Sequence, residues 1–130
     1  MIAEVPAEGS IPFASVTDLA VLKGAELTHV SVWKYGVTLG FNDEPLTITV
    51  ENNAEFQSQG RTEIFNQEII IGFGARMLSL VGRRVSDMQA TEGKTVALSF
   101  DDGARLVLRP DDSGYESYTV NLPNGSIFIG

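Results

Sequence analysis

The sequence predicts a mainly β domain, a duplicated antiparallel β-meander folded as a sandwich or partly closed barrel with one helix between the copies. Three observations predict it. Apolar and polar residues alternate at Val37, Leu39, Phe41 and again at Val96, Leu98, Phe100, the period-two pattern of half-buried strands. The stretch from Leu22 to Glu51 has the same grammar as that from Leu80 to Arg109: each opens Leu-x-Gly, Gly24, Leu27 and Val30 matching Gly82, Val85 and Met88 at an offset of 58, and Leu39 and Phe41 matching Leu98 and Phe100 at 59. Turn residues separate these runs at regular intervals.

Taken in order, the first copy spans 22–56. Its strands are joined at Tyr35-Gly36 and at Asn42 to Pro45, and Leu46, Ile48 and Val50 form its third strand. Residues 66–81 read as the connecting helix, because Ile70, Phe73, Met77 and Leu80 fall at helical spacing behind a capping Asn66 with Gln67-Glu68 in the first turn. Gly72, Gly74 and the run Ile69-Ile70-Ile71 support a competing reading, a strand over Ile69 to Phe73 followed by a short helix. The second copy with a C-terminal hairpin covers 82–129. It turns at Glu92-Gly93, at Asp102-Gly103, expected as a type I′ turn with both central residues at positive φ, and at Asn124-Gly125. The expected core is Leu27, Val30, Val32, Leu39, Phe41, Ile48 and Val50 from one copy with Val85, Met88, Leu98, Phe100, Leu106 and Leu108 from the other.

Composition narrows the function. The 130 residues suit a single domain over 1–130, and 43% hydrophobic with 20% charged residues is a globular balance. Absence of Cys removes thiol nucleophiles, thiolate metal sites and disulfides. Met1 to Val16 has neither a basic start nor a long apolar run, so the expected location is the cytoplasm, away from membranes. A net charge of −8 argues against nucleic acid, whose phosphates favour Lys and Arg. Residues 1–65 carry −6 of that charge, and the six basic residues of the second half all lie between Arg76 and Arg109.

Leu80-Val81-Gly82-Arg83-Arg84-Val85, Leu98-Ser99-Phe100-Asp101-Asp102-Gly103, Tyr115-Glu116-Ser117-Tyr118 and Pro123-Asn124-Gly125 together resemble an uncharacterised family of short bacterial domains of unknown function. That family shows a duplicated Gly-x-x-Val opening, a Phe-Asp-Asp-Gly hairpin and a Tyr-Glu-x-aromatic strand. The resemblance spans roughly residues 22–129 and implies the duplicated β fold, with no catalytic residues to carry over. Asn42-Asp43-Glu44-Pro45 departs from it, standing where the second copy has its glycine hairpin.

No enzyme signature emerges, and neither a metal nor a cofactor is expected. His29, the lone histidine, has nothing at ligand spacing beside it and reads as a structural or surface residue. Asp101-Asp102, Asp111-Asp112 and Glu116 lack a calcium-loop pattern, and turn chemistry explains the first pair. Gly72-Phe73-Gly74 is no nucleotide fingerprint, since Met77 stands where the third glycine belongs.

Two readings remain. In the first the chain is an acidic inhibitor of the immunity or anti-defence type. It meets a basic surface of a partner protein through Asp43, Glu44, Glu51, Glu55, Tyr115, Glu116 and Tyr118. In the second it is a small-ligand binding module or nucleotide-signal sponge, a homo-oligomer in which Trp33 and Tyr35 stack on an anionic molecule held by Arg83, Arg84, Arg105 and Arg109. Core packing is the competing expectation for Trp33.

Overall fold

A computed structural model describes residues 13–43, 45–91, 93–111 and 116–130. Ten strands form among them: β1 (Leu27–Trp33), β2 (Gly36–Phe41), β3 (Leu46–Val50), β4 (Ala54–Ser58), β5 (Arg61–Phe65), β6 (Val85–Ala90), β7 (Val96–Phe100), β8 (Arg105–Leu108), β9 (Tyr118–Asn121) and β10 (Ile127–Ile129). They make two five-stranded antiparallel sheets, β1-β2-β3-β9-β10 and β5-β4-β8-β7-β6. Neither sheet closes into a barrel, so of the two predicted architectures the open two-sheet form is the one adopted.

Each half of the chain is a three-stranded meander followed by a hairpin, and the halves exchange their hairpins. β4, from the first half, pairs with β8 of the second, whereas β9, from the second, pairs with β3 of the first. The halves also clasp at their starts. The Gly24 N–H donates to Val85 O and the Gly82 N–H to Leu27 O, both at 2.7 Å, while Leu27 N–H reaches Arg83 O at 2.9 Å and Val85 N–H reaches Ala25 O at 2.8 Å. This near-symmetric arrangement is the structural form of the 58-residue repeat.

A single core lies between the sheets. Leu27, Val37, Leu39, Phe41, Ile48, Val50, Val96, Leu98, Leu106, Leu108, Tyr118 and Val120 are buried in it, together with Leu19 and Leu22 from a 3-10 helical segment, Val16–Leu22, that packs on β6. Fully burying such a Leu or Phe side chain is worth roughly 1.5–3 kcal/mol. Val30 and Met88 are half-buried against this core. Val32, expected inside, is 42% exposed, because it lies near the end of an edge strand.

The connecting helix starts later than its spacing predicted. Asn66 caps a 3-10 turn, Gln67–Ile69, its side-chain oxygen accepting from Glu68 N–H at 2.9 Å and Ile69 N–H at 3.3 Å, and the α-helix α1 follows as Ile70–Leu78. The strand alternative for Ile69 to Phe73 is thereby excluded. Ile70, Phe73, Gly74 and Met77 face the core, and α1 lies on β1 and β2 with a smaller footing on β4 and β5.

Two turns differ from expectation. At Asp101-Asp102-Gly103 only Gly103 has positive φ, and the Gly103 N–H donates to Phe100 O at 3.0 Å while Phe100 N–H reaches Ala104 O at 2.8 Å, a three-residue loop in place of a type I′ turn. Paired positive φ instead occurs at Asn42-Asp43, 55° and 59°, between β2 and β3, and at Gln59-Gly60, 53° and 77°, joining β4 to β5, a hairpin the sequence reading left out. Asn124-Gly125 does connect β9 to β10. Among the described residues no helix is long and apolar enough to cross a membrane.

Candidate functional site

Strand alternation decides which side chains leave the core, and the register lines them up in rows. On the outer face of the first sheet the rows read Ser31, Thr38, Thr49, Thr119, Ile129 and His29, Gly40, Thr47, Asn121, Ile127. Neither contains a charged residue. Thr38 and Thr49 share a hydroxyl hydrogen bond of 3.1 Å across β2 and β3. The edge residues reach inward over glycine: the His29 ring lies over Gly40, and the Trp33 ring lies against Gly36, the position opposite it in the register.

Trp33 is therefore a surface residue, 40% exposed, and the expectation of core packing fails. Tyr35, in the following turn, is 54% exposed with the Lys34 ammonium 5.2 Å from its ring centre. Acidic groups border this face at both ends. Glu51 follows β3 beside that turn, its N–H bonded to Ser117 O at 2.8 Å, so Glu116 lies next to it; Asp43 sits at the far end, its N–H bonded to Thr28 Oγ1 at 3.0 Å.

The remaining expected residues scatter. Tyr118 is fully buried and its hydroxyl donates to Lys94 O, which removes it from any contact surface. Glu44 and Tyr115 lie outside the described residues. Arg84 donates to Gly24 O at 3.1 Å and pairs with Glu26 at 3.4 Å, so it clamps the junction of the halves, and Arg83 lies 3.9 Å from Asp101 of its own half. That junction is seven residues from Trp33 along β1, about 23 Å at strand rise. Arg105 and Arg109 emerge on the other sheet. Within one chain, Trp33 and Tyr35 are therefore not brought together with these arginines.

The outer face of the second sheet is charged. Its rows are Thr62, Gln57, Arg105, Ser99, Asp87 and Ile64, Glu55, Val107, Ala97, Gln89. Glu55 accepts from Gln57 at 2.5 Å and from Arg109 at 2.6 Å, and these bonds, the Gln57 one first, hold its carboxyl below the ordinary range. Glu63 binds Arg76 through both oxygens, at 2.5 and 3.0 Å, and is lowered for the same reason.

Two clefts flank the tip of the β4–β5 hairpin. One, about 630 Å³, opens toward α1 between Phe56, Glu63, Arg76 and Leu80; the other, about 370 Å³, opens toward the β7–β8 turn between Gln57, Thr62, Ser99 and Arg105. Arg61 lines both. The sequence reading passed over Arg61, and the only signal for it was Gly60 between two short alternating runs.

The acidic pairs serve as turn and loop ligands. Asp101 accepts from Arg84 N–H at 3.3 Å, Asp102 from Ala104 N–H at 3.0 Å and Asp111 from Asn52 at 3.0 Å, whereas Asp112 lies outside the described residues. Among the described residues no three His, Asp or Glu side chains gather as metal ligands. Comparison with protein-family models, with curated proteins and with solved structures finds no match to this chain.

Proposed function

We propose that this chain is a non-enzymatic interaction protein that acts in the cytoplasm by covering a partner protein with the outer face of its first sheet. The observation that carries the reading is the charge-free face itself. It offers ten register positions without one charge, Trp33 and Tyr35 at one corner, and the carboxylates of Glu51, Glu116 and Asp43 at its ends. Interfaces share this distribution of charge, a depleted centre inside a polar rim, and are enriched in aromatic groups. The complementary partner has a neutral, flat surface bordered by Lys and Arg. Inhibitors of the immunity or anti-defence type work by such occlusion and need no reactive group of their own.

The test is capture of the partner from an extract of the host, comparing the unaltered chain with Thr49→Arg on the proposed face and Gln89→Arg on the opposite sheet. One protein retained by the unaltered chain and by Gln89→Arg, lost with Thr49→Arg, and weakened by high salt and by Glu51→Lys is the expected result. Equal behaviour of Thr49→Arg and Gln89→Arg, or a second copy of this chain as the only occupant of the face, overturns it.

A further inference from the structure

Six arginines stand in the sequence, and four are held by carboxylates: Arg76 by Glu63 at 2.5 Å, Arg109 by Glu55 at 2.6 Å, Arg84 by Glu26 at 3.4 Å and Arg83 by Asp101 at 3.9 Å. Arg61 and Arg105 have no such partner among the described residues. These two line the same cleft, the one of about 370 Å³ at the β4–β5 hairpin.

The rest of the lining suits an anion. Ser58, Thr62 and Ser99 contribute hydroxyls, Gln57 and Gln59 contribute amides, Gly60 and Gly103 bring backbone close, and among the described residues no carboxylate lines the cleft. Thr62, Gln57, Arg105 and Ser99 occupy one row across four strands, so this donor set is mounted on paired backbone. Nearby carboxylates have other hydrogen-bond partners, Glu55 with Arg109 and Gln57, Glu63 with Arg76 and Asp102 with the Ala104 N–H, while Glu63 and Glu55 act on Arg61 and Arg105 at longer range and Asp87 ends the row beside Ser99. In a chain of net charge −8, two arginines without a close ion pair lining one donor-rich cleft are a local exception to the overall field.

We infer that this cleft binds a dianionic oxyanion, a phosphate group free or as the monoester of a small molecule, gripped between Arg61 and Arg105. Two planar guanidiniums match the charge and the oxygen spacing of such a group, and the hydroxyls complete its hydrogen bonds. The site lies on the sheet opposite the proposed protein-binding face, and neither depends on the other.

Calorimetric titration of the full chain with inorganic phosphate, and in parallel with a sugar phosphate and the same sugar without phosphate, tests this. Saturable binding of one phosphate group per chain is expected, with Arg61→Gln and Arg105→Gln each weakening it about tenfold or more and Lys34→Gln, on the opposite sheet, leaving it within about twofold. Binding of inorganic phosphate alone identifies the free ion as the ligand, and tighter binding of the ester identifies a phosphorylated molecule. Both arginines are on the surface, so thermal melting of each variant separates loss of the site from loss of the fold. Absence of saturable binding to both phosphate probes, or equal weakening by Lys34→Gln, overturns the inference.

Discussion

Thr28 and Ser86 hold the same place in the two halves: each lies at the β-bulge opening its strand, and each donates its hydroxyl to a carbonyl of the neighbouring strand, Gly40 O and Ser99 O, at 3.1 Å. Their duties differ, because the Thr28 oxygen also accepts from Asp43 N–H at 3.0 Å. Thr28→Val, which keeps the shape, is expected to cost about 1 kcal/mol, and Ser86→Ala, at an exposed position, less than about 0.5 kcal/mol. Urea unfolding of both variants measures the difference; equal losses would mean that the second bond of Thr28 contributes nothing.

Gly74 and Gly72 separate helix propensity from packing. A methyl group on Gly74 would lie 2.5 Å from Val32 Cγ2 and 3.2 Å from Val37 Cγ2, whereas one on Gly72 would meet only the Phe65 ring, at 3.4 Å. Alanine gains about 1 kcal/mol of helix propensity at either site. Gly72→Ala is therefore expected to raise stability, and Gly74→Ala to lower it by about 1–3 kcal/mol as α1 is pushed off β1. Adding Val32→Ala should recover part of that loss, a coupling readable in a double-mutant cycle.

Burial raises the Tyr118 hydroxyl above its ordinary value of 10.0. The folded state then holds a proton that the unfolded chain releases, so the associated stability is complete below pH about 10 and declines as the pH rises further. Tyr118→Phe is expected to cost about 0.5–1.5 kcal/mol at neutral pH, since Lys94 O loses its donor, and to flatten the alkaline decline. Denaturant titrations at neutral and alkaline pH measure both effects; an unchanged alkaline slope in the variant contradicts the assignment.

Glu55 gives the opposite sign. Its carboxyl is held below the ordinary 4.5 by Gln57 and Arg109, so the stability tied to it is present above that value and lost as the pH falls through the lowered one. Glu55→Gln should be less stable than the unaltered chain at neutral pH and converge with it in acid. Thermal melts across the acid range follow the convergence, and a constant gap at all pH values would contradict it.

The sequence made the local elements legible and left the partnership between halves hidden. Leu39 and Phe41, Leu98 and Phe100 announced their strands by alternation, and Asn66 announced a helical start, because those signals depend on neighbours in the chain. That β3 pairs with β9 rather than with β4 is set by how the two halves close on one core, and no periodicity encodes it. The same limit governed the surface. Trp33 could be read as core or contact, and only the register, placing it opposite Gly36, decides. Arg105 was legible as one of four candidate contacts to an anion, but Arg61 became its neighbour through a hairpin whose strands, Ala54–Ser58 and Arg61–Phe65, are too short and mixed to stand out.

The exchanged hairpins also set a timetable for the chain as it leaves the ribosome. When β8 emerges, β4 and β5 are already waiting, so the second sheet completes by pairing backward onto finished chain. β3 has no such provision. Its free edge, Leu46–Val50, rich in β-branched residues, stays open until β9 arrives some seventy residues later. Open edges of that kind recruit strands from other molecules, and closure over a long loop is slow. The interval between synthesis of β3 and of β9 is thus when a nascent chain is most exposed to association with its neighbours, and whatever slows the last hairpin lengthens it.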